Sequence, residues 1–319
     1  MKLFFKKLLY LIVMLFIISL ISFIAINAAP NSFFASGELN PNITPEAIEE
    51  LKAIYGLDKP LYIQFFSWIF SILNLDFGIS FASGVKVKDE ILSRINVTLT
   101  INIISMFLIF IISLYFGIKA AMSQNGFFDR FTKQLSLLSF SMPSFYLALI
   151  LVLVFSIKFE LFPIAGLHSV KNDGSFEYYL DFAWHLALPI FIIVFGGIGS
   201  LILYIRALTL EILKSDYIFF AKARGLSQKT ILRYYILPNL YPPVITLLGL
   251  SLPGVIGGSV ILETIFSIDG MGLLFYQSAL SHDYPVIMGI LIIGAFLTLL
   301  GNIIADLVLL KLNPNYNEK

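Results

Sequence analysis

Residues 219–240 read FFAKARGLSQKTILRYYILPNL, and the fold turns on how this stretch is understood. The chain on either side is strongly apolar. Here it carries Lys222, Arg224, Lys229 and Arg233 within two helix-like runs that meet at Gly225. Glycine takes the left-handed backbone that ends a helix without steric cost. Ser227 is placed to cap the helix that follows, and Pro238 is expected to close that helix near a membrane boundary. The expected shape is a helical elbow whose first helix runs to about Arg224, with Tyr217, Phe220 and Leu226 as its apolar members. A purely electrostatic role at a membrane surface would need the charges but not the elbow. An apolar and basic tip on a short helical pair suits docking into a groove on another protein.

The surroundings of the elbow set the class. The 319-residue chain is 58% hydrophobic and 13% charged, too apolar for a soluble domain of this length to hide, so an all-α membrane protein is expected. A helix crosses a bilayer with roughly 20 apolar residues. Six stretches without Asp, Glu, Lys or Arg are long enough: 8–26, 95–118, 135–157, 186–205, 239–262 and 286–305. The first follows Lys2, Lys6 and Lys7 and could be mistaken for a secretory signal. Its apolar run exceeds the usual signal core of about 7–15 residues, and Pro30 after Ala28 and Ala29 disfavours cleavage there. A retained span is expected. The organisation that follows is a first span in 1–28, an outer segment in 29–94, a five-helix core in 95–311 holding the elbow region 208–238, and a tail in 312–319.

Charge sets the expected orientation. Lys119, Arg130 and Lys133 lie between spans two and three, and Arg206, Lys214, Lys222, Arg224, Lys229 and Arg233 lie between spans four and five. On the other side, only Lys158 and Lys171 lie between spans three and four, and no Lys or Arg lies between spans five and six. Basic loops stay cytoplasmic, so both termini and the elbow are expected there. In the outer segment, ITPEAIEELKAIYGLDKP is expected to form a short helix with Thr44 as cap, Pro45 and Glu46 in its first turn and Gly56 at its end. LYIQFFSWIFSIL should lie against membrane or helices, and VKVKDEILSRIN should lead straight into the second span.

Several chemistries have no residues to carry them. The chain has no cysteine, and His168, His185 and His282 are scattered. No GxxxxGK[ST] phosphate loop occurs, and no Ser-His-Asp set can be argued. A net charge of +1 gives no argument for nucleic acid. The spans hold almost no ionisable groups, with Glu263 at the outer end of the fifth and Asp306 at the inner end of the sixth. Ion-coupled carriers usually keep buried ionisable groups for that purpose, although sodium sites built from carbonyls exist. An external energy source is therefore the main expectation, with an ATP-independent carrier or channel as the alternative and a membrane scaffold without transport as a third reading. Pro143, Pro189 and Pro253 interrupt spans, and Gly196, Gly197, Gly199, Gly249, Gly254, Gly257 and Gly258 cluster in two of them. Such residues serve close helix packing or line a narrow path.

The stretch DYIFFAKARGLSQKTILRYYILPN resembles the cytoplasmic coupling motif of permease subunits of ABC importers, in the dipeptide, oligopeptide and nickel branch. The general pattern is Glu-Ala-Ala, three residues, Gly, nine residues, then Ile-x-Leu-Pro. Ala221, Gly225, Leu237 and Pro238 fit it, while Phe219, Phe220 and Tyr235 replace the Glu, the first Ala and the Ile. The peptide-branch form is similar at Asp216, Tyr217, Ala221, Ala223, Gly225, Leu226 and Ser227. Further pieces agree in order and spacing: YGLDKPLYIQF, DFGIS, MPSFYLALIL, FPIAG, GGSVILETIFSIDGMG, HDYPVIMG and NIIADLVLLKLNPN. The tail departs from the usual Asp-Pro-Arg, with Asn313-Pro314-Asn315 in its place.

The resemblance implies a six-span permease of the type I importer fold in the bacterial cytoplasmic membrane. Its implied partners are a second homologous permease, two ABC ATPase subunits, an extracytoplasmic substrate-binding protein and membrane lipid. No cofactor is implied on this chain, since ATP and Mg would sit on the ATPases, and no catalysis either. Asp216, Tyr217, Ala221, Ala223, Gly225, Leu226, Ser227 and Pro238 would belong to the coupling surface. Pro143, Gly254, Gly257, Gly258 and Glu263 are candidates to line the path. His282, Asp283, Tyr284 and Pro285 are candidates to meet the binding protein. The cargo would be peptides or a nickel or other metal chelate.

Overall fold

Proline and capping chemistry set the helix boundaries that position the elbow. The structure is a computed structural model, and it describes residues 2–28, 59–169, 175–251 and 259–312. The helix expected over ITPEAIEELKAIYGLDKP, together with Lys171, Pro253, Gly254, Gly257, Gly258 and the tail from Asn313, lies outside the described residues. Among the described residues the regular structure is helical, apart from an isolated antiparallel bridge between Ile79 and Lys86. The helices are α1 (Lys2–Asn27), α2 (Leu61–Leu73), α3 (Val87–Met122), α4 (Phe127–Ser141), α5 (Ser144–Leu151), α6 (Phe176–Leu213), α7 (Asp216–Ala223), α8 (Gln228–Ile231), α9 (Leu237–Ser251), α10 (Val260–Ile265), α11 (Met271–Leu280) and α12 (Tyr284–Leu312).

By length and composition, three of these helices can cross a membrane: Val87–Met122, Phe176–Leu213 and, in α12, Tyr284–Ile304. A fourth span arises if α4 and the segment Ser144–Lys158 count as one. The described residues thus carry three or four spans of membrane length. VKVKDEILSRIN does lead into a span, because α3 is one helix of 36 residues. Asp89 and Glu90 in its first turn and Lys119 in its last match the helix dipole. In α6, the Ser175 hydroxyl accepts the Tyr178 N–H and caps the start.

Two expected boundaries are corrected. The span expected over 135–157 is not one rod, because α4 and Ser144–Lys158 meet at 98°. Pro143 causes the break. It disfavours helical backbone in the residue before it, and Met142 sits extended at φ −90, ψ 119. Pro143 then stands at the head of α5. Pro238, by contrast, does not close the second elbow helix. The helix passes from α8 through a π-helical run, Leu232–Ile236, directly into α9. A proline lacks an N–H and pushes against the carbonyl of the preceding turn, and a wider π turn just ahead of it relieves both problems.

The chain divides into two compact units. The first comprises Met1–Thr98, Ile256–Glu263 and Asp269–Leu300. Within it, Phe65 of α2 is buried, with its ring 5.6 Å from Phe16 and 5.4 Å from Phe23, both edge-on. LYIQFFSWIFSIL is thereby packed on α1. A second core joins Val87, Ile91, Met271, Leu274 and Val286. Gly289 permits the close approach there, since a Cβ on it would stand 2.7 Å from Val87 Cγ1.

The second unit comprises Leu99–Val255, Thr264–Ile268 and Gly301–Lys319. Here α4 lies against α6, and a Cβ on Gly199 would stand 2.6 Å from the Ser136 carbonyl oxygen. Asp129, fully buried, anchors the pair. It accepts from Arg206 Nε at 2.6 Å and Nη2 at 2.9 Å, and from the Asn125 N–H at 3.0 Å, with Lys133 Nζ 3.0 Å away. Removing one partner of a buried pair of this kind costs about 3–5 kcal/mol. Arg206, one of the inner positive charges of the sequence, therefore also clamps α4 to α6, while Lys133 pairs with Asp129 within α4.

Candidate coupling surface and path

The elbow is built by local capping. Helix α7 ends at Ala223 with Arg224 as its C-cap, and Gly225 follows with φ +75. The Gly225 N–H donates to the Lys222 carbonyl at 2.9 Å, and the Leu226 N–H donates to the Ala221 carbonyl at 3.2 Å. These two bonds form a Schellman closure. Open space surrounds the Gly225 Cα, so the backbone angle and not crowding demands glycine. The Ser227 hydroxyl then accepts the Thr230 N–H at 3.2 Å and starts α8.

The elbow has its own core of Ile218, Ala221, Ile231, Ile236 and Leu240, with Leu226 and Tyr235 packed on it. The Tyr217 and Tyr235 rings stack at 6.4 Å. Of the residues expected at a coupling surface, Asp216, Tyr217, Ala223, Gly225, Ser227 and Pro238 are exposed, Leu226 is half-buried and Ala221 is buried. Ala221 therefore shapes the elbow from inside. The most exposed apolar groups of the elbow are Phe219 at 69%, Tyr234 at 65% and Phe220 at 63%, and Lys222, Arg224 and Arg233 are exposed on the same elbow. Phe219 and Tyr234 are surface members beyond those expected from the sequence. Two adjacent aromatic residues in a short polar helix were the available signal.

In the first unit, long-range hydrogen bonds hold the segments that flank α11. Asp283 is 1% exposed. Its carboxylate accepts from the Ser80 hydroxyl at 2.5 Å, the Phe81 N–H at 3.2 Å and the Ala82 N–H at 3.1 Å. Tyr284 is also buried, while His282, with φ +54, and Pro285 are partly exposed. In this conformation the Asp283 carboxylate is spent on the 80–82 turn, and the surface belongs to His282, Pro285 and residues 82–86 of that turn.

Glu263 is 4% exposed. It accepts the Leu273 N–H at 2.8 Å, and the Thr98 hydroxyl stands 3.2 Å from its other oxygen. Thr98 in turn accepts the Met271 N–H at 2.8 Å. The carboxylate thus sits over the N-terminal amides of α11, where the helix dipole favours it. Gly270 and Gly272 make room, since a Cβ on either would come within 2.9 Å of the Glu263 carboxylate. Among the path candidates, then, Glu263 is enclosed by its own turn and Pro143 sits at the α4–α5 bend. Gly254, Gly257 and Gly258 lie outside the described residues.

A helical chain with three or four apolar helices of membrane length, and a capped basic and aromatic elbow just after one long apolar helix, defines a multi-pass membrane protein. The elbow and its neighbouring helices correspond to residues 113–318, which match the family described as binding-protein-dependent transport system inner membrane component, and residues 1–102 match the N-terminal region of such components. The chain belongs to this family, the ABC importer permeases of the peptide and nickel branch. It is 34% identical over 298 residues, 93% of each chain, to the oligopeptide transport system permease protein AppB of Bacillus subtilis. It is 33% identical over 315 residues, 98% of each chain, to the oligopeptide permease OppB of Haemophilus influenzae. The metal-staphylopine import permease CntB of Staphylococcus aureus is 29% identical over 308 residues, 97% of this chain and 94% of its own. Among solved structures, an inward-facing MetNI methionine ABC transporter matches with a TM-score of 0.56 at 17% identity, over 70% of this chain and 96% of that one. That likeness supports the fold alone.

Proposed function

We propose that this chain is the membrane subunit of an ATP-driven, binding-protein-dependent importer of peptides, or of a peptide-like metal chelate, in the bacterial cytoplasmic membrane. The observation that carries the reading is the elbow: a Schellman-closed turn at Gly225 presenting Phe219, Phe220 and Tyr234 among basic side chains. Nothing within a lone carrier requires so exposed an aromatic tip, whereas an ATPase groove does. Relatives named for oligopeptide and metal-staphylopine import support the cargo class.

The working unit joins this chain to a second homologous permease, two ATPases that hold ATP and Mg, and an external binding protein. The chain carries no cofactor and no catalysis. It spans six times with both termini and the elbow inside, as the positive charges favour. Closing of the ATPases on ATP pushes the elbow, and a rigid-body bias then selects the outward-open state. Residues 82–86, His282 and Pro285 meet the binding protein outside.

Affinity purification in mild detergent tests the assembly. Co-purification of P-loop ATPases and a second multi-span chain is expected, and the Phe219→Ala, Phe220→Ala double variant loses the ATPases while keeping the second permease. A chain that purifies alone and conducts solute alone in liposomes would overturn the reading in favour of a carrier or channel.

A further inference from the structure

The second unit contains a groove that the coupling elbow does not use. It lies between α3, α6 and α9 and has a volume of about 590 Å³. Asn102, Ser105, Ser200, Tyr204 and Ser251 supply its polar lining. The rest is aliphatic or aromatic, and no Asp, Glu, Lys, Arg or His lines it among the described residues. Gly197 forms part of the wall, where a Cβ would stand 2.5 Å from Ile109 Cδ1.

Ser105 gives the groove its chemistry. The residue is 1% exposed, and its Oγ has no hydrogen-bond partner among the described residues. A serine inside a helix usually rests its hydroxyl on the carbonyl four residues earlier. Ser251, in the same groove, donates in that way to the Leu247 carbonyl at 2.8 Å. A buried hydroxyl without a partner is costly, because it has given up its bonds to water. In a membrane segment, polar groups find partners across helices or mark the route of a solute.

We infer that this groove is a hydrogen-bonding subsite on the path, in which Ser105, Ser200 and Asn102 meet the backbone amides of a peptide in transit. The inference rests on the peptide-import reading above. Backbone amides are the one hydrogen-bonding feature that peptides of every sequence share. Hydroxyls and a carboxamide both donate and accept, so they pair with N–H and C=O alike. A lining without ionised groups imposes no preference for net charge, and its apolar remainder tolerates varied side chains. A lipid acyl chain would fill the apolar part and leave the Ser105 hydroxyl unpaired.

The absence of cysteine from the chain makes the test direct, because one introduced cysteine is its sole thiol. Ser200→Cys is placed in the assembled transporter in proteoliposomes. Labelling by a membrane-impermeant methanethiosulfonate is read on this chain by mass, with trialanine uptake measured in parallel. The expected result is labelling that blocks uptake and that slows several-fold when trialanine, binding protein and ATP are supplied. Ser251→Cys gives the same readout if Ser200→Cys does not assemble. In a second arm, Ser105→Ala lowers uptake of Ala-Lys-Ala and Ala-Glu-Ala by the same factor, whereas Ser105→Asp separates the two. Labelling only by a lipid-soluble maleimide, or labelling that trialanine leaves unchanged while uptake proceeds, overturns the subsite. Failure of the unsubstituted transporter to take up any of the three peptides overturns the peptide-import reading on which the subsite rests.

Discussion

The elbow and the Asp283 turn are both short segments held in one shape, yet by different means. The elbow is closed by neighbours in sequence: Gly225 to Lys222, Leu226 to Ala221 and Thr230 to Ser227. The 80–82 turn has local bonds too, from the Ser80 N–H to the Val85 carbonyl and from the Gly84 N–H to the Ser80 carbonyl, but it is also tied by Asp283, a residue 203 positions from Ser80. A segment closed by its own caps can protrude and still keep its form, which suits a part that must be pushed. A segment tied also by a distant carboxylate has all its bonds only while the two chain regions stay together, which suits a part that reports on packing between them. Glu263, with Thr98 165 positions away, belongs to the second kind.

The strongest way to break this contrast is Gly225→Pro. Proline cannot take φ +75, and it removes the N–H that donates to Lys222. The local cost is about 3 kcal/mol or more. ATP hydrolysis by the assembled complex should then continue while uptake falls to background, with the first unit unaffected in limited proteolysis. Wild-type uptake in this variant would sink the coupling role of the elbow. Gly225→Ala sharpens the test, because space is open there and only the backbone is strained. It should cost about 1–2 kcal/mol and reduce uptake only in part.

Asp283→Ala should act next most strongly, and on the other region. It leaves the Ser80 hydroxyl and the Phe81 and Ala82 N–H groups without their acceptor. Hydrogen bonds to a charged group contribute about 1.5–3 kcal/mol. Protease cleavage within 80–86 should accelerate, and stimulation of the ATPases by the binding protein should drop, while unstimulated hydrolysis stays at the parent rate. An unchanged cleavage pattern would show that the turn does not depend on its distant anchor.

The smallest effect is expected at His168, which stacks 3.9 Å from the Tyr178 ring beside Asp181. Burial holds its imidazole below the ordinary value; Asp181 works against this, and the charge of His185 adds to it. The folded state therefore binds a proton less readily than the unfolded chain. The contact between this segment and the start of α6 should be undisturbed at neutral pH and weaken as pH falls below about 6.5. Hydrogen exchange at 166–169 between pH 7.5 and 5.5 measures it, and protection that rises on acidification would reverse the sign.

Much of the elbow was legible beforehand, because its causes lie within a dozen residues. A glycine at a helix end, a serine before the next helix and a run of basic residues each act on the backbone beside them. Pro143 and Pro238 show where local reading stops. Both were seen as helix breakers, but one produces a 98° turn and the other is absorbed by a π run into a continuous helix. A missing N–H is the same defect in both places, and the surrounding packing chose the remedy. Phe219 and Phe220 were noticed as departures from a motif, and only the buried side of α7, carrying Ile218 and Ala221, turned them outward.

The sequence by itself determined the membrane class, the presence of long apolar helices, the sidedness that charge favours and the caps of the elbow. Each of these follows from composition or from interactions between near neighbours. Tertiary structure alone decided that Asp283 would anchor a turn instead of meeting solvent, that Glu263 would cover the amides of α11, and that Ser105 would be buried against a groove with no partner among the described residues. A buried carboxylate or hydroxyl must take whatever partner the fold brings to it, and here that partner, or its absence, was decided by helices far apart in the chain.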